Sequence, residues 1–128
     1  MDSKSRIFVA GHRGLVGSAI YRNLKENGFN NLSSSTSDHW DLRVRHDVDT
    51  FFRIHNPEYV FLAAAKVGGI GGNSTYPADF IYDNLMIQSN VIDAAYRHRV
   101  KKLLFLGSSC IYPKFPKIPI TEDQLMTS

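Results

Sequence analysis

Apolar and polar positions alternate along this chain in two rhythms, short solid apolar runs and longer stretches of helical spacing. Ile7-Phe8-Val9-Ala10 is an unbroken apolar run that stops at a glycine, the pattern of a strand buried on both faces. From Gly14 to Glu26, Leu15, Val16, Ala19, Ile20 and Leu24 recur at helical spacing, and Gly28 marks the stop. Leu32 to Ser35 reads as a serine-rich second strand. Asp47 to His55 carries Val48, Phe51, Phe52 and Ile54 and predicts a short helix that ends before Pro57. Tyr59 to Ala65 is the third strand, followed by a glycine-rich loop from Val67 to Asn73. Pro77 opens a long helix to about Arg99, with Phe80, Ile81, Leu85, Ile87, Val91, Ile92, Ala94 and Ala95 as its apolar side. Lys102 to Leu106 is the fourth strand. Pro113, Pro116 and Pro119 then crowd the following positions, so the chain leaves the sheet extended.

The order is therefore β-α-β-α-β-α-β. Solid apolar strands separated by helices imply a parallel sheet covered on both faces. Right-handed crossovers make this an α/β, Rossmann-type doubly wound sheet, incomplete at about four strands. A length of 128 residues leaves room for one such domain, residues 1–128, and little for a second.

Composition narrows the function classes. No run approaches the roughly 18 apolar residues of a membrane helix, and the start lacks a signal-peptide core. Cys110 is the single cysteine, which excludes internal disulfides and a multi-cysteine zinc site. No metal site is expected, and the cytoplasm is the default compartment. The net charge of +3 suits an anionic ligand. The dense basic run Arg97 to Lys102 follows the long helix, where cations complement the dipole. It has no interleaved aromatic residue, so it does not read as a nucleic-acid surface.

The strongest local signal is Gly11-His12-Arg13-Gly14-Leu15-Val16-Gly17, directly after a strand and opening a helix. The first glycine permits the tight turn, the second lets backbone approach a pyrophosphate, and the third lets helix and strand pack closely. Phosphates would then sit on N–H groups at the positive end of the helix. The pattern points to a dinucleotide. An NAD site places an acid at the end of the second strand. Here that strand runs into Ser33-Ser34-Ser35-Thr36-Ser37, and Asp38 comes past its end. Arg13 offers a fixed cation of phosphate-matching geometry, so NADP is favoured over NAD, with a solvated loop arginine as the plain alternative. The fourth strand ends in Gly107-Ser108-Ser109-Cys110, at the carboxyl edge where ligands bind in open α/β sheets.

Three blocks carry a resemblance. They are Val9 to Ile20, Ala63-Ala64-Ala65-Lys66-Val67-Gly68-Gly69-Ile70, and Leu106-Gly107-Ser108-Ser109-Cys110-Ile111-Tyr112-Pro113-Lys114. Tyr76 to Tyr82 and Asn84 to Ala95 match as well. From about residue 6 to its end the chain resembles the GDP-L-fucose synthase family of the extended short-chain dehydrogenase/reductase superfamily. The resemblance implies conversion of GDP-4-keto-6-deoxy-D-mannose to GDP-L-fucose. Epimerisation at C3 and C5 precedes hydride transfer from NADPH to the C4 ketone. It implies Ser108 and Cys110 at the sugar, with the cysteine as the base. On the cofactor it implies the turn Gly11, His12, Arg13, Gly14, Leu15, Val16 and Gly17. Ser37, Asp41 and Leu42 fall on the adenosine side, and Ala63, Ala64, Ile87, Leu106 and Gly107 complete the implied set. Family members pair as homodimers, and the helix from Pro77 is the implied contact face.

Two departures stand out. The one Tyr-x-x-x-Lys match, Tyr21 to Lys25, lies on the first helix and reads as chance. The family's own pair, which protonates the alkoxide and orients the nicotinamide, falls past residue 128. Ser37 replaces an arginine usual near the 2′-phosphate. The expectation is an amino-terminal portion of the cofactor domain without the substrate domain, inactive alone. The alternatives are a non-catalytic dinucleotide-binding module and another NAD(P)-dependent nucleotide-sugar epimerase or dehydratase.

Overall fold

The structure is a computed structural model and describes residues 1–36, 38–67 and 75–127. Four parallel strands form one sheet in the order β2-β1-β3-β4: β1 (Ile7–Ala10), β2 (Leu32–Ser33), β3 (Tyr59–Leu62) and β4 (Lys102–Phe105). Ile7 pairs with Leu32 on one side and Tyr59 on the other, and Tyr59 pairs in turn with Lys102. Among the described residues, three α-helices connect the strands: α1 (Leu15–Glu26), α2 (Arg45–His55) and α3 (Pro77–Arg97). Chain order reverses across the sheet between β1 and β3. That is the switch point where open α/β sheets hold their ligands.

β1 explains why the sheet is covered on both faces. Alternate side chains of a strand point to opposite sides. Ile7 and Val9 join Leu24 of α1 in one cluster, packed by Ile20, Tyr21 and Phe61. Phe8 and Ala10 join Val48, Phe51 and Phe52 of α2 and Val91, Ala94 and Ala95 of α3 in the other. The centre of that second core is aromatic, with Phe8 and Phe51 ring centroids 4.4 Å apart and Phe8 and Phe52 edge-on at 5.8 Å.

The expected strands and helices are present, the expected glycine-rich loop from Val67 to Asn73 lies outside the described residues beyond Val67, and the structure moves some of the limits. The second strand is only two residues long. Beyond it the chain turns, with the His39 and Trp40 N–H groups donating to the Thr36 carbonyl. Asp38 accordingly lies past the strand end. The third strand closes at Leu62 rather than Ala65. α2 begins two residues earlier than expected. It ends where Asn56 takes a left-handed conformation (φ 41°) and donates to the Phe52 carbonyl.

Helix phases also differ from the apolar pattern. Leu15, Val16 and Ala19 of α1 face outward, Leu15 at 90% exposure, while Gly17, Ile20, Tyr21 and Leu24 face the sheet. The reason is steric. Gly17 seats the first turn on the backbone of Gly11, which fixes the rotation of the helix. Ile54 of α2 is likewise exposed. α3 carries apolar residues on two faces: Ile87, Val91, Ala94 and Ala95 turn inward, while Ile81, Leu85 and Ile92 turn outward. On β4, Leu104 and Phe105 remain 45% and 42% exposed at the sheet edge. No helix among the described residues is long and apolar enough to cross a membrane.

Candidate functional site

The turn after β1 is built from backbone contacts that exclude side chains. Gly11 has φ +85°, and a Cβ there would stand 2.8 Å from the backbone of Ala63 and Ala64 at the end of β3. Gly14 donates its N–H to the Gly11 carbonyl at 2.9 Å, and Ser18 donates to the Gly14 carbonyl at 2.9 Å. A Cβ on Gly17 would lie 2.6 Å from the Gly11 carbonyl carbon. The first and third glycines thus do what their spacing predicts, and the second closes the turn through its own N–H. α1 then starts with no side-chain cap and no acidic residue in its first turn. Helix starts of that kind leave N–H groups and a partial positive charge for an anion.

Two cavities open from this switch point. The smaller, about 460 Å³, brings together Gly11, Gly14, Asp41, Leu42, Ala63, Ala64 and Ile87, seven of the expected cofactor residues. The larger, about 920 Å³, lies toward β4 and brings together Val16, Leu106, Gly107 and Ser108. Ala63, Ala65 and Lys66 line both, so the cavities adjoin at the carboxyl edge of β3. An elongated ligand of two joined halves fits that plan.

Other expected residues stand apart. His12, Arg13 and Leu15 line neither cavity, and Gly17 acts by packing alone. Arg13 is exposed beside the turn and pairs with no carboxylate among the described residues. The His12 Nδ1 is buried without a partner, and burial, then the neighbouring Arg13 charge, push the imidazole pKa down. Ser37 lies outside the described residues. Cys110 sits in a short 3₁₀ turn, Ser109–Ile111, and its side chain lies outside the described part. Tyr21 and Lys25 lie on α1, the Lys25 Nζ 5.6 Å from the centre of the Tyr21 ring, and line neither cavity. Among the described residues no cluster of acids, histidines and cysteines is arranged to hold a metal.

The sequence pattern missed a charged network on the wall of the smaller cavity. Arg43 donates to both Asp41 oxygens, Nη2 at 2.7 Å, and reaches Asp83 at 3.4 Å. Lys66 Nζ donates to Asp83 at 2.6 Å. The Arg43 guanidinium holds the Asp41 carboxyl below its ordinary range, and Lys66, then Arg43, do the same for Asp83. α3 also fixes the backbone of both walls. Asn84 accepts from the Lys66 N–H at 2.7 Å and donates to its carbonyl at 3.0 Å. Asn90 donates to the Leu42 and Arg43 carbonyls at 3.1 and 2.9 Å. The available signal was the interruption of the inward apolar stripe of the long helix by Asp83 and Asn90, which are buried.

Residues 7–128 match the model of the NAD dependent epimerase/dehydratase family. The chain belongs to that family. Among its relatives, a GDP-L-fucose synthase 1 of Arabidopsis thaliana is 63% identical over 99% of the chain. A GDP-L-fucose synthase of Escherichia coli K12 is 56% identical over 97% of it. In each case the chain spans 39% of the relative's length. The solved GDP-mannoheptose C4 reductase MlghC of Campylobacter jejuni, with NADP bound, superposes with a TM-score of 0.92 at 45% identity. The match covers 98% of this chain and 40% of that one. The fold is thus the Rossmann-like fold of these epimerases and dehydratases.

Proposed function

We propose that this chain forms the NADP-binding part of an enzyme that epimerises and reduces GDP-4-keto-6-deoxy-D-mannose to GDP-L-fucose. The observation that carries the reading is the Gly11–Gly17 turn, in which Gly11 and Gly17 leave no room for a Cβ, opening onto two adjoining cavities. The turn and the uncapped start of α1 would hold the pyrophosphate. Asp41, Leu42 and Ile87 would line the adenosine half, and Val16, Leu106 and Gly107 the nicotinamide half. Arg13 would reach the 2′-phosphate. The relatives' printed names and the NADP bound by MlghC support the choice of cofactor and substrate class.

Bound NADPH would supply hydride to the C4 ketone. Ser108, at the end of the larger cavity, would donate a hydrogen bond to the sugar ketone and hold the charge that builds on its oxygen. The Cys110 thiolate would take the proton from C3 and then C5, both acidified by the ketone. A second acid would return a proton to the opposite face, and loss of the thiol proton to solvent would ready Cys110 for the next inversion. The outward stripe of α3 supports pairing with a second copy of the chain.

A second reading, a dinucleotide-binding module without turnover, is favoured by one observation. The sequence's single Tyr-x-x-x-Lys pair lies on α1 and lines neither cavity. The common test is titration of the chain with NADPH, followed by nicotinamide fluorescence. Saturable binding lost in Gly11→Val is expected, and absence of binding overturns both readings.

A further inference from the structure

The guanidinium of Arg43 is held in a single plane. Its Nε donates to the Asp41 oxygens at 3.0 and 3.1 Å and its Nη2 at 2.7 Å, while Nη1 reaches both Asp83 oxygens at 3.4 Å. The backbone is fixed as well. The Arg43 N–H donates to Asp41 Oδ1 at 2.9 Å, and its carbonyl accepts from the buried Asn90 at 2.9 Å. All five guanidinium donors lie in the plane of the group. With carboxylates on two edges, the flat face and the outer Nη1/Nη2 edge are what remain for a ligand.

That arrangement closes the side-on fork to a phosphate. Phosphate recognition by arginine uses the paired N–H groups of the fork, and Asp41 already occupies the Nε/Nη2 fork. Lys66 is committed to Asp83 in the same way, with its Nζ 5.3 Å from the centre of the Phe80 ring. The two cations and two carboxylates of this network sum to no net charge. Meanwhile Arg43 lines the smaller cavity beside Trp40, Leu42 and Ile87, a wall of flat and apolar groups, and its side chain stays 45% exposed. This end of the cavity offers a plane rather than a charge.

We propose that Arg43, held flat by Asp41 and Asp83, stacks face-on against the purine base of the cofactor. It reads the base and not the 2′-phosphate, and so determines affinity for NADPH and NADH alike. Asp83 acts through Arg43 as a positioning residue. The proposal rests on the cofactor reading above.

Arg43→Lys retains the cation and loses the plane. The unmodified chain and this variant are titrated with NADPH, NADH, AMP and reduced nicotinamide mononucleotide, which has no purine. Base stacking on a planar side chain predicts about tenfold weaker binding of all three purine ligands, by a common factor. The mononucleotide is unaffected. Asp83→Asn, which removes the charge from the Nη1 contact and so weakens it, produces a smaller loss, again common to NADPH and NADH. If Arg43→Lys binds the purine ligands as the unmodified chain does, or loses NADPH alone, the stacking role is overturned. Should Arg43→Lys fail to fold, Asp83→Asn decides, and a loss confined to NADPH counts against the proposal. Failure of the unmodified chain to bind any of the dinucleotides overturns the cofactor reading itself, a result distinguishable from all of these.

Discussion

Gly17 rests its α-carbon on the carbonyl of Gly11, so that the first turn of α1 and the end of β1 share one contact with no room for a side chain. The neighbouring atoms are backbone and have nowhere to move. Gly17→Ala must therefore lift the helix from the strand. Overpacking of this kind costs about 1–3 kcal/mol, and it also displaces the N–H groups of the first turn. A lower denaturation midpoint together with weaker NADPH binding is expected. Gly28→Ala, where a Cβ would meet nothing within 4 Å, isolates the effect of left-handed backbone (φ +82°) from that of crowding.

Arg13 lies exposed beside the same turn, with no carboxylate partner among the described residues. If it reads the 2′-phosphate, Arg13→Ala weakens NADPH more than NADH. Parallel titrations of the two cofactors decide the matter, and equal losses remove Arg13 from phosphate recognition. This signature is opposite to the one expected for Arg43, so the two arginines are separable by the same assay.

Acid sensitivity follows from the network around Asp83. Its carboxyl is held below the ordinary value of 3.8 chiefly by the Lys66 hydrogen bond, and Asp41 is held down chiefly by Arg43. A carboxyl with a depressed native pKa adds stability above its unfolded pKa and loses it as pH falls through the native one. Asp83→Asn should therefore be less stable than the unmodified chain at pH 7. The gap should narrow as pH drops below about 4. A gap that stays constant from pH 7 to pH 2 would show that the ion pairs add nothing.

Much of this fold was legible because β1 and β3 are apolar throughout and the glycine turn follows a strand. Those features report burial and sterics, which local sequence encodes directly. Helix phase was less legible. The apolar pattern of α1 turned Leu15 and Val16 inward, but the Gly17–Gly11 contact rotates them out, and that contact belongs to tertiary packing. On α3 the pattern merged two stripes, because apolar residues toward the core and toward solvent look alike in a list. The cavity wall was read in part. Asp41, Leu42 and Ile87 came from resemblance, whereas Arg43, Lys66 and Asp83 meet only after α3 crosses the sheet, over sequence separations of 40 and 17 residues.

The outward stripe of α3 carries its own expectation. Ile92 and Tyr96 are 44% and 84% exposed, and Ile81 and Leu85, at 61% and 54% on the same face, also line the open larger cavity. Contiguous apolar surface on a helix, next to an uncovered sheet edge at β4, favours association. The chain should sediment as a dimer or larger species, and Ile92→Lys should shift it toward monomer without changing NADPH affinity. A monodisperse monomer before mutation would remove α3 as a pairing face.

Turnover is the most demanding expectation. Reduction of the ketone requires a proton donor for its oxygen as charge builds there. In the family that this chain resembles, a tyrosine with a lysine four residues on fills the role. The sequence's one such pair, Tyr21 and Lys25, lies on α1 and lines neither cavity, and Tyr112 is followed four residues on by Pro116. A positioned general acid contributes about 10²–10⁴-fold, and positioning of the sugar contributes further. The 128-residue chain should bind NADPH yet show no steady oxidation of it when the 4-keto sugar nucleotide is added. Deuterium uptake at C3 or C5 of the sugar, if measurable, should vanish in Cys110→Ser. Steady NADPH oxidation that Ser108→Ala abolishes would mean that these residues already form a complete active site, with a proton donor other than the tyrosine.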